Sequence, residues 1–94
     1  MELREVQARM RETYGARDAA RGVDATFRWF TEEVGELAAA IRRGERSNLE
    51  HEFADVLAWL SSLANLLSVD LEAVMRRYET GCPKCGARPC ECPA

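Results

Sequence analysis

Two groups of side chains in this 94-residue chain have the types and spacing to do chemistry. The first is acidic: Glu32, Glu33 and Glu36 in "EEVGEL", then Glu52 and Asp55 in "EFAD". The second is sulfur: Cys82, Cys85, Cys90 and Cys92, in a C-terminal stretch of thirteen residues that also holds all three prolines. An acid pair at i, i+3 faces one way from a helix. With roughly 100° of rotation per residue, Glu33 lies about 60° to one side of Phe30, with Glu36 and Trp29 on the same flank, and Glu52, Asp55 and Trp59 share an edge of the next helix. Carboxylates that converge beside an apolar face repel one another and lose hydration unless a cation offsets them. All-oxygen ligands favour a hard ion, Mg2+ or Mn2+, over Zn2+. Because Mg2+ is commonly shared with substrate phosphates, a phosphate-bearing small molecule is the natural ligand. The same acids would also suit a solvated helix face with Arg partners at i, i+4.

The cysteines read as CxxC, a four-residue turn, then CxC, four thiols within eleven residues. That spacing fits a four-cysteine zinc site, and a reducing compartment favours zinc over the alternative of disulfides or partly free thiols. A structural metal would staple a small domain whose core is thin; recruitment of a partner is the other role open to it. His51, the single histidine, reads as a surface neighbour of Glu52 and is left out of the metal set.

The elements that must position these groups are helical. Leu3, Val6 and Met10 predict a first helix ending near Tyr14 and Gly15, with residues 16–23 a connector. Asp24 is the expected cap of a second helix carrying Phe27, Phe30, Val34, Leu37 and Ile41 up to Gly44. Ser47 and Glu50 spell a capping box for a third, striped with Leu49, Phe53, Val56, Leu57, Leu60, Leu63, Ala64 and Leu67. Ser68 or Asp70 caps a fourth, which ends at Gly81. The short loop around Gly44 to Ser47 makes helices two and three antiparallel neighbours and can bring the acid pairs together. The expected architecture is all-α, a helical domain over residues 1–81 with a cysteine-rich zinc knuckle over 82–94.

Composition bounds the function. The net charge of −3 argues against a nucleic-acid polymer as partner, since such binders carry a basic excess or stripe. No apolar run approaches the roughly 20 residues of a membrane span, and the start "MELREVQARM" lacks the apolar segment of a signal peptide, so a cytoplasmic protein is expected. Apolar residues and two tryptophans flanking the core stripes predict burial against another copy of the chain.

"EEVGEL", fourteen residues, then "EFAD" is the EExxE…ExxD pattern of the MazG-like family in the all-α NTP pyrophosphohydrolase superfamily, which the chain resembles over about residues 24–79. The flanks "FRWFTEEVGELAAAIRRGE" and "DVLAWLSSLANLLSVDLEAVMRRY" are similar too. The resemblance implies a four-helix MazG-like bundle assembled by oligomerisation, as a homodimer or a homotetramer (a dimer of dimers), with substrate sites lined by more than one chain. It implies Mg2+-dependent cleavage of a nucleoside triphosphate between the α and β phosphates to the monophosphate and pyrophosphate, with Glu33, Glu36, Glu52 and Asp55 as metal ligands. Glu32 would orient or deprotonate the attacking water. Trp29 and Trp59 can stack a base or fill an interface, and Asn65, matching an Asn in the family's "ANLLG" run, is a candidate substrate contact. Arg43, beside Arg42 and Arg46, is a candidate for the triphosphate tail. Near the end of the last helix, where relatives show a Lys followed by a polar residue, this chain reads "RRYETG", which leaves the phosphate clamp open. Alternatives are a phosphoribosyl-ATP pyrophosphohydrolase-like activity or a non-catalytic, zinc-tailed interaction module.

Overall fold

A computed structural model describes residues 1–94. Helix α1 runs Leu3–Arg21, α2 Val23–Arg43, α3 Arg46–Leu66 and α4 Leu71–Val74, the last continuing as a 3-10 turn over Met75–Tyr78. No strand is present. No single helix is long and apolar enough to cross a membrane.

The expected connector at residues 16–23 is helix. Glu2 and Glu5 form a reciprocal capping box that starts α1, and Arg21 in its last turn complements the dipole at that end. Only Gly22 separates α1 from α2. Its backbone, at φ 87° and ψ 169°, is one that glycine enters readily and side chains resist, so the chain turns from helix to helix in a single residue. This also moves the start of α2 ahead of Asp24, which lies in its first turn. At the other end Gly44, in the left-handed region, returns its N–H to the Ala40 carbonyl at 2.9 Å. The connection to α3 is so tight that Glu45, not Ser47, precedes the helix, and no side-chain cap forms. Ser47 is already inside the first turn, and Glu50 pairs with Arg46 at 3.0 Å instead. Asp70 does cap α4, accepting from the N–H groups of Glu72 and Ala73.

Helix α3 is the centre of the fold, packed on one side by α2 and on another by α1. The joint between α1 and the end of α3 is polar. The Gln7 amide, nearly fully buried, donates to Asn65 Oδ1 at 3.1 Å and to the Val69 carbonyl at 2.8 Å. Its oxygen accepts from the Leu71 N–H at 2.7 Å. Asn65 donates back to the Gln7 carbonyl at 3.0 Å and accepts from Arg11 at 3.0 Å. Arg4 adds ion pairs to Asp70 at 2.9 Å and Glu72 at 3.1 Å, and its guanidinium holds the Asp70 carboxyl below the usual range, helped by the Ala73 N–H.

Little of the chain is buried. Seven of 94 residues are, and only Ala40 and Ala64 among them are apolar. The radius of gyration is 15.6 Å, against about 12 Å for a compact chain of this length. The large apolar side chains read as core from their period face outward instead: Phe27, Val34 and Ile41 on α2 and Phe53, Leu57 and Leu60 on α3 are exposed, Ile41 by 59% and Phe53 by 57%.

Because Asn65 bonds both Gln7 and Arg11, the Asn65→Ala substitution removes three bonds of the joint and leaves one N–H of the nearly buried Gln7 amide without its partner. A loss of about 1–3 kcal/mol is expected, read as a lower urea midpoint at unchanged m-value; a wild-type midpoint would show that the joint does not hold α1 to α3.

Candidate active site on the α2–α3 seam

The register of α2 against α3 is marked by Trp29 and Trp59, whose rings stack with centroids 5.9 Å apart and planes 16° from parallel. Antiparallel neighbours run in opposite directions from such a point. Four residues on from Trp29 is Glu33, and four back from Trp59 is Asp55; seven on and seven back are Glu36 and Glu52. The two acid pairs therefore sit across the seam from each other.

Electrostatics records that meeting. Burial raises the Glu33 carboxyl, and Asp55, Glu52, Glu36 and Glu32 raise it further, in that order. Both acids across the seam thus weigh on Glu33 more than its own helix neighbours do. Glu52 is half-buried, and its Oε2 is closed from solvent without a hydrogen-bond partner. An orphaned carboxylate oxygen among four other acids is the environment in which a cation is most strongly favoured. His51, Glu52 and Asp55 already bring their ligand atoms within 4.8 Å of one another; Glu33 and Glu36 lie outside that tight group. Glu32 is exposed.

The expectations for the neighbouring residues resolve unevenly. His51, set aside as a surface neighbour, reaches Asp55 with Nε2 at 3.3 Å from Oδ2; its i, i+4 spacing from Asp55 was the available signal. Trp29 and Trp59 stack on each other, and the Arg21 guanidinium lies over the Trp59 ring at 4.9 Å, so these faces are occupied within the chain. Asn65, expected at the substrate, has its amide committed to the α1 joint. Arg43 stands exposed in the last turn of α2 and makes no ion pair.

Helix α1 contributes residues that the sequence reading left in a connector. A cleft of about 270 Å³ opens beside the seam, lined among others by Tyr14, Arg17, Asp18 and Arg21 from α1 and by Asp55 and Trp59 from α3. Asp18 is 3% exposed. Its Oδ1 accepts from Arg21 at 2.8 Å, and Arg21 also reaches Thr26 Oγ1 at 3.4 Å.

The four cysteines form a second, separate centre. Their sulfurs all lie within 4.8 Å of one another, with Cys82 to Cys92 at 3.7 Å and Cys85 to Cys90 at 3.9 Å. A disulfide needs about 2.05 Å, whereas sulfurs each about 2.3 Å from one tetrahedral ion stand roughly 3.8 Å apart. Backbone N–H groups of Glu91 and Cys92 point at Cys85 and Cys90, both at 3.3 Å. The first of these, with the Ala87 N–H, lowers the Cys85 thiol to about 6, while the other three sulfurs, Cys90 first, push Cys92 up to about 11. Four thiolates cannot coexist there without a cation. The knuckle closes through Cys82 N–H to the Ala87 carbonyl at 3.0 Å. Gly81, at φ 139°, is required beside it, because a Cβ would lie 2.8 Å from the Ala87 oxygen.

A search of curated proteins returned no match. The sequence model of the MazG nucleotide pyrophosphohydrolase domain matches residues 21–86, a segment that contains all five acids of the seam, both tryptophans and the first two cysteines. With well over half of the chain matched and the motif's acids facing each other across one helical hairpin, this chain belongs to the MazG nucleotide pyrophosphohydrolase family.

Proposed function

We propose that the chain hydrolyses a nucleoside or deoxynucleoside triphosphate between the α and β phosphates, giving the monophosphate and pyrophosphate. The observation that carries this reading is the seam itself, with Glu33 raised by Asp55 and Glu52 and Glu52 Oε2 buried and unpaired. The donor set fits a hard divalent ion, Mg2+ or Mn2+, held by Glu33, Glu36, Glu52 and Asp55. Bound there, it would neutralise the triphosphate and favour charge on the leaving pyrophosphate. Water adds across the anhydride: its oxygen bonds to phosphorus, the bridging P–O bond breaks, and its proton passes to a carboxylate. Glu32, exposed on α2 beside Glu33, is the acid placed to orient that water and take the proton. The substrate is a free nucleotide and not a nucleic-acid polymer.

Pyrophosphate and monophosphate release from a panel of NTPs and dNTPs in Mg2+ tests this. Both products are expected, with a loss of roughly 100-fold or more in Glu36→Gln. Mg2+ should also raise the thermal midpoint of the wild type but not that of Glu52→Gln. No turnover of any nucleotide by folded protein in Mg2+ or Mn2+ would overturn the reading and favour a non-catalytic module.

The cysteine centre fits Zn2+ as a structural staple, with its sulfur separations supporting that assignment, and a reducing cytoplasm is the compartment that keeps such a site metallated. One zinc per chain is expected by elemental analysis, with a lower thermal midpoint after chelation or in Cys85→Ser. Protein isolated with two disulfides and no zinc would refute it.

The exposed apolar faces of α2 and α3 support assembly with a second copy, as a homodimer or a dimer of dimers. A face carrying Phe27, Ile41 and Phe53 in the open is costly in water at about 25 cal/mol per Å². Sedimentation equilibrium should return two or four times the 10.6 kDa chain mass, and Phe53→Asp should shift it toward monomer. A wild-type monomer at micromolar concentration would exclude the interface.

A further inference from the structure

Asp18 poses a problem that the acid seam does not explain. It is 3% exposed, yet only one of its oxygens is used: Oδ1 takes the Arg21 N–H at 2.8 Å, and Oδ2 is closed from solvent with no partner. Buried carboxylate oxygens normally find a donor. Asp18 lines the cleft that also contains Asp55 and Trp59, so the residue that carries the orphan forms part of the wall of a cavity that begins at an acid of the seam. It also precedes the segment shared with the family, which starts at residue 21.

What already occupies this wall shows what it accepts. The Arg21 guanidinium is a flat group with N–H donors, lying over the Trp59 ring at 4.9 Å and bonded to Asp18 Oδ1 at 2.8 Å. A nucleobase with an exocyclic amino group is also a flat N–H donor. Arg21 is partly exposed, so it is the group beside Asp18 that can swing to admit a ligand to Oδ2, and its guanidinium offers N–H donors to a ring nitrogen beside the amino group. A base with a carbonyl at that position would set oxygen against the carboxylate and leave Oδ2 unpaired.

We propose that the cleft between α1 and α3 is the nucleoside pocket and that Asp18 determines its specificity, through Oδ2, for bases bearing an exocyclic amino group over their carbonyl counterparts. This rests on the proposed pyrophosphohydrolase reading for the placement of the triphosphate at Asp55, but the recognition itself is independent of catalysis.

The pairs ATP with ITP and CTP with UTP differ in that group and in the adjacent ring nitrogen, an acceptor beside the amino group and an N–H donor beside the carbonyl. In wild-type protein with Mg2+, the amino member of at least one pair is expected to have the higher kcat/KM by about 10- to 100-fold. Asp18→Asn keeps the shape and turns an acceptor into a donor, so the ratio should collapse or invert in favour of ITP or UTP. A loss of packing alone would lower both members equally and leave the ratio in place. Equal or carbonyl-favouring ratios in the wild type, which need no variant, would overturn the proposal, as would an unchanged ratio in a folded Asp18→Asn protein. If nothing is turned over, equilibrium binding of the same four nucleotides reads the preference directly: an amino preference lost in Asp18→Asn would sustain the pocket while the hydrolytic reading failed, and no preference would end both.

Discussion

The close approach of α2 and α3 governs the rest of the molecule. On these two helices the fully or nearly fully buried positions are small: Thr26 and Ala40 on α2, Ser61, Ser62 and Ala64 on α3. Between them the stacked Trp29 and Trp59 rings fix the register, and small side chains fill the buried positions in place of Phe or Ile. The bulky apolar residues are left facing outward, and Glu33, Glu52 and Asp55 are the half-buried groups along the seam. The consequence is a hairpin with carboxylates at its inner edge and Phe27, Val34, Ile41 and Phe53 on its outside, the reverse of what water alone would favour for a monomer. On the proposed reading a cation and a second copy relieve the two halves of that inversion.

The remaining elements compensate for the thin interior in different ways. At the α1 joint, Gln7 and Asn65 exchange hydrogen bonds with each other, with Arg11 and with the backbone of Val69 and Leu71. Such a joint is directional: it specifies one rotation of α1 against α3, which apolar contact between Met10 and its neighbours would not do alone. That rotation is what places Tyr14, Arg17, Asp18 and Arg21 over the cleft. The cysteine knuckle is likewise held by named bonds, with Gly81 accommodating the Ala87 carbonyl at a distance no side chain would tolerate.

The legible parts of the sequence were those in which helical spacing and chemistry coincide. The acid pairs, the antiparallel hairpin and the tryptophans on one flank follow from i, i+3 and i, i+4 geometry, and the model of a known family matches the same stretch. Helix α1 was cut short because its inward stripe, Gln7, Met10, Tyr14, Asp18 and Arg21, keeps the helical period but is mostly polar. A search for apolar recurrence loses it after Met10. The outward turn of Phe27 and Phe53 was hidden for the opposite reason: a periodic apolar stripe states that a face is buried, not whether its partner is the same chain. Ser47 failed as a cap because the loop before it has only two residues, a constraint of chain closure that local propensity does not carry.

The three long helices divide the work between phosphate and base in a way that follows from their contacts. The seam acids belong to α2 and α3, which are held in register by the stacked tryptophans, and any shift of that register would separate Glu33 from Asp55. Helix α1 touches α3 far more than α2, and what ties it to the start of α2 is Gly22 with the hydrogen bond from Arg21 to Thr26 Oγ1. It can therefore alter the wall of the cleft without disturbing the acids. Trp59 and Asp55 face both regions, one turn apart on α3, so a ligand spanning the two must pass this turn. On the proposed reading, phosphate chemistry is tied to the rigid hairpin, while choice of base is written on the helix that is free to vary around it.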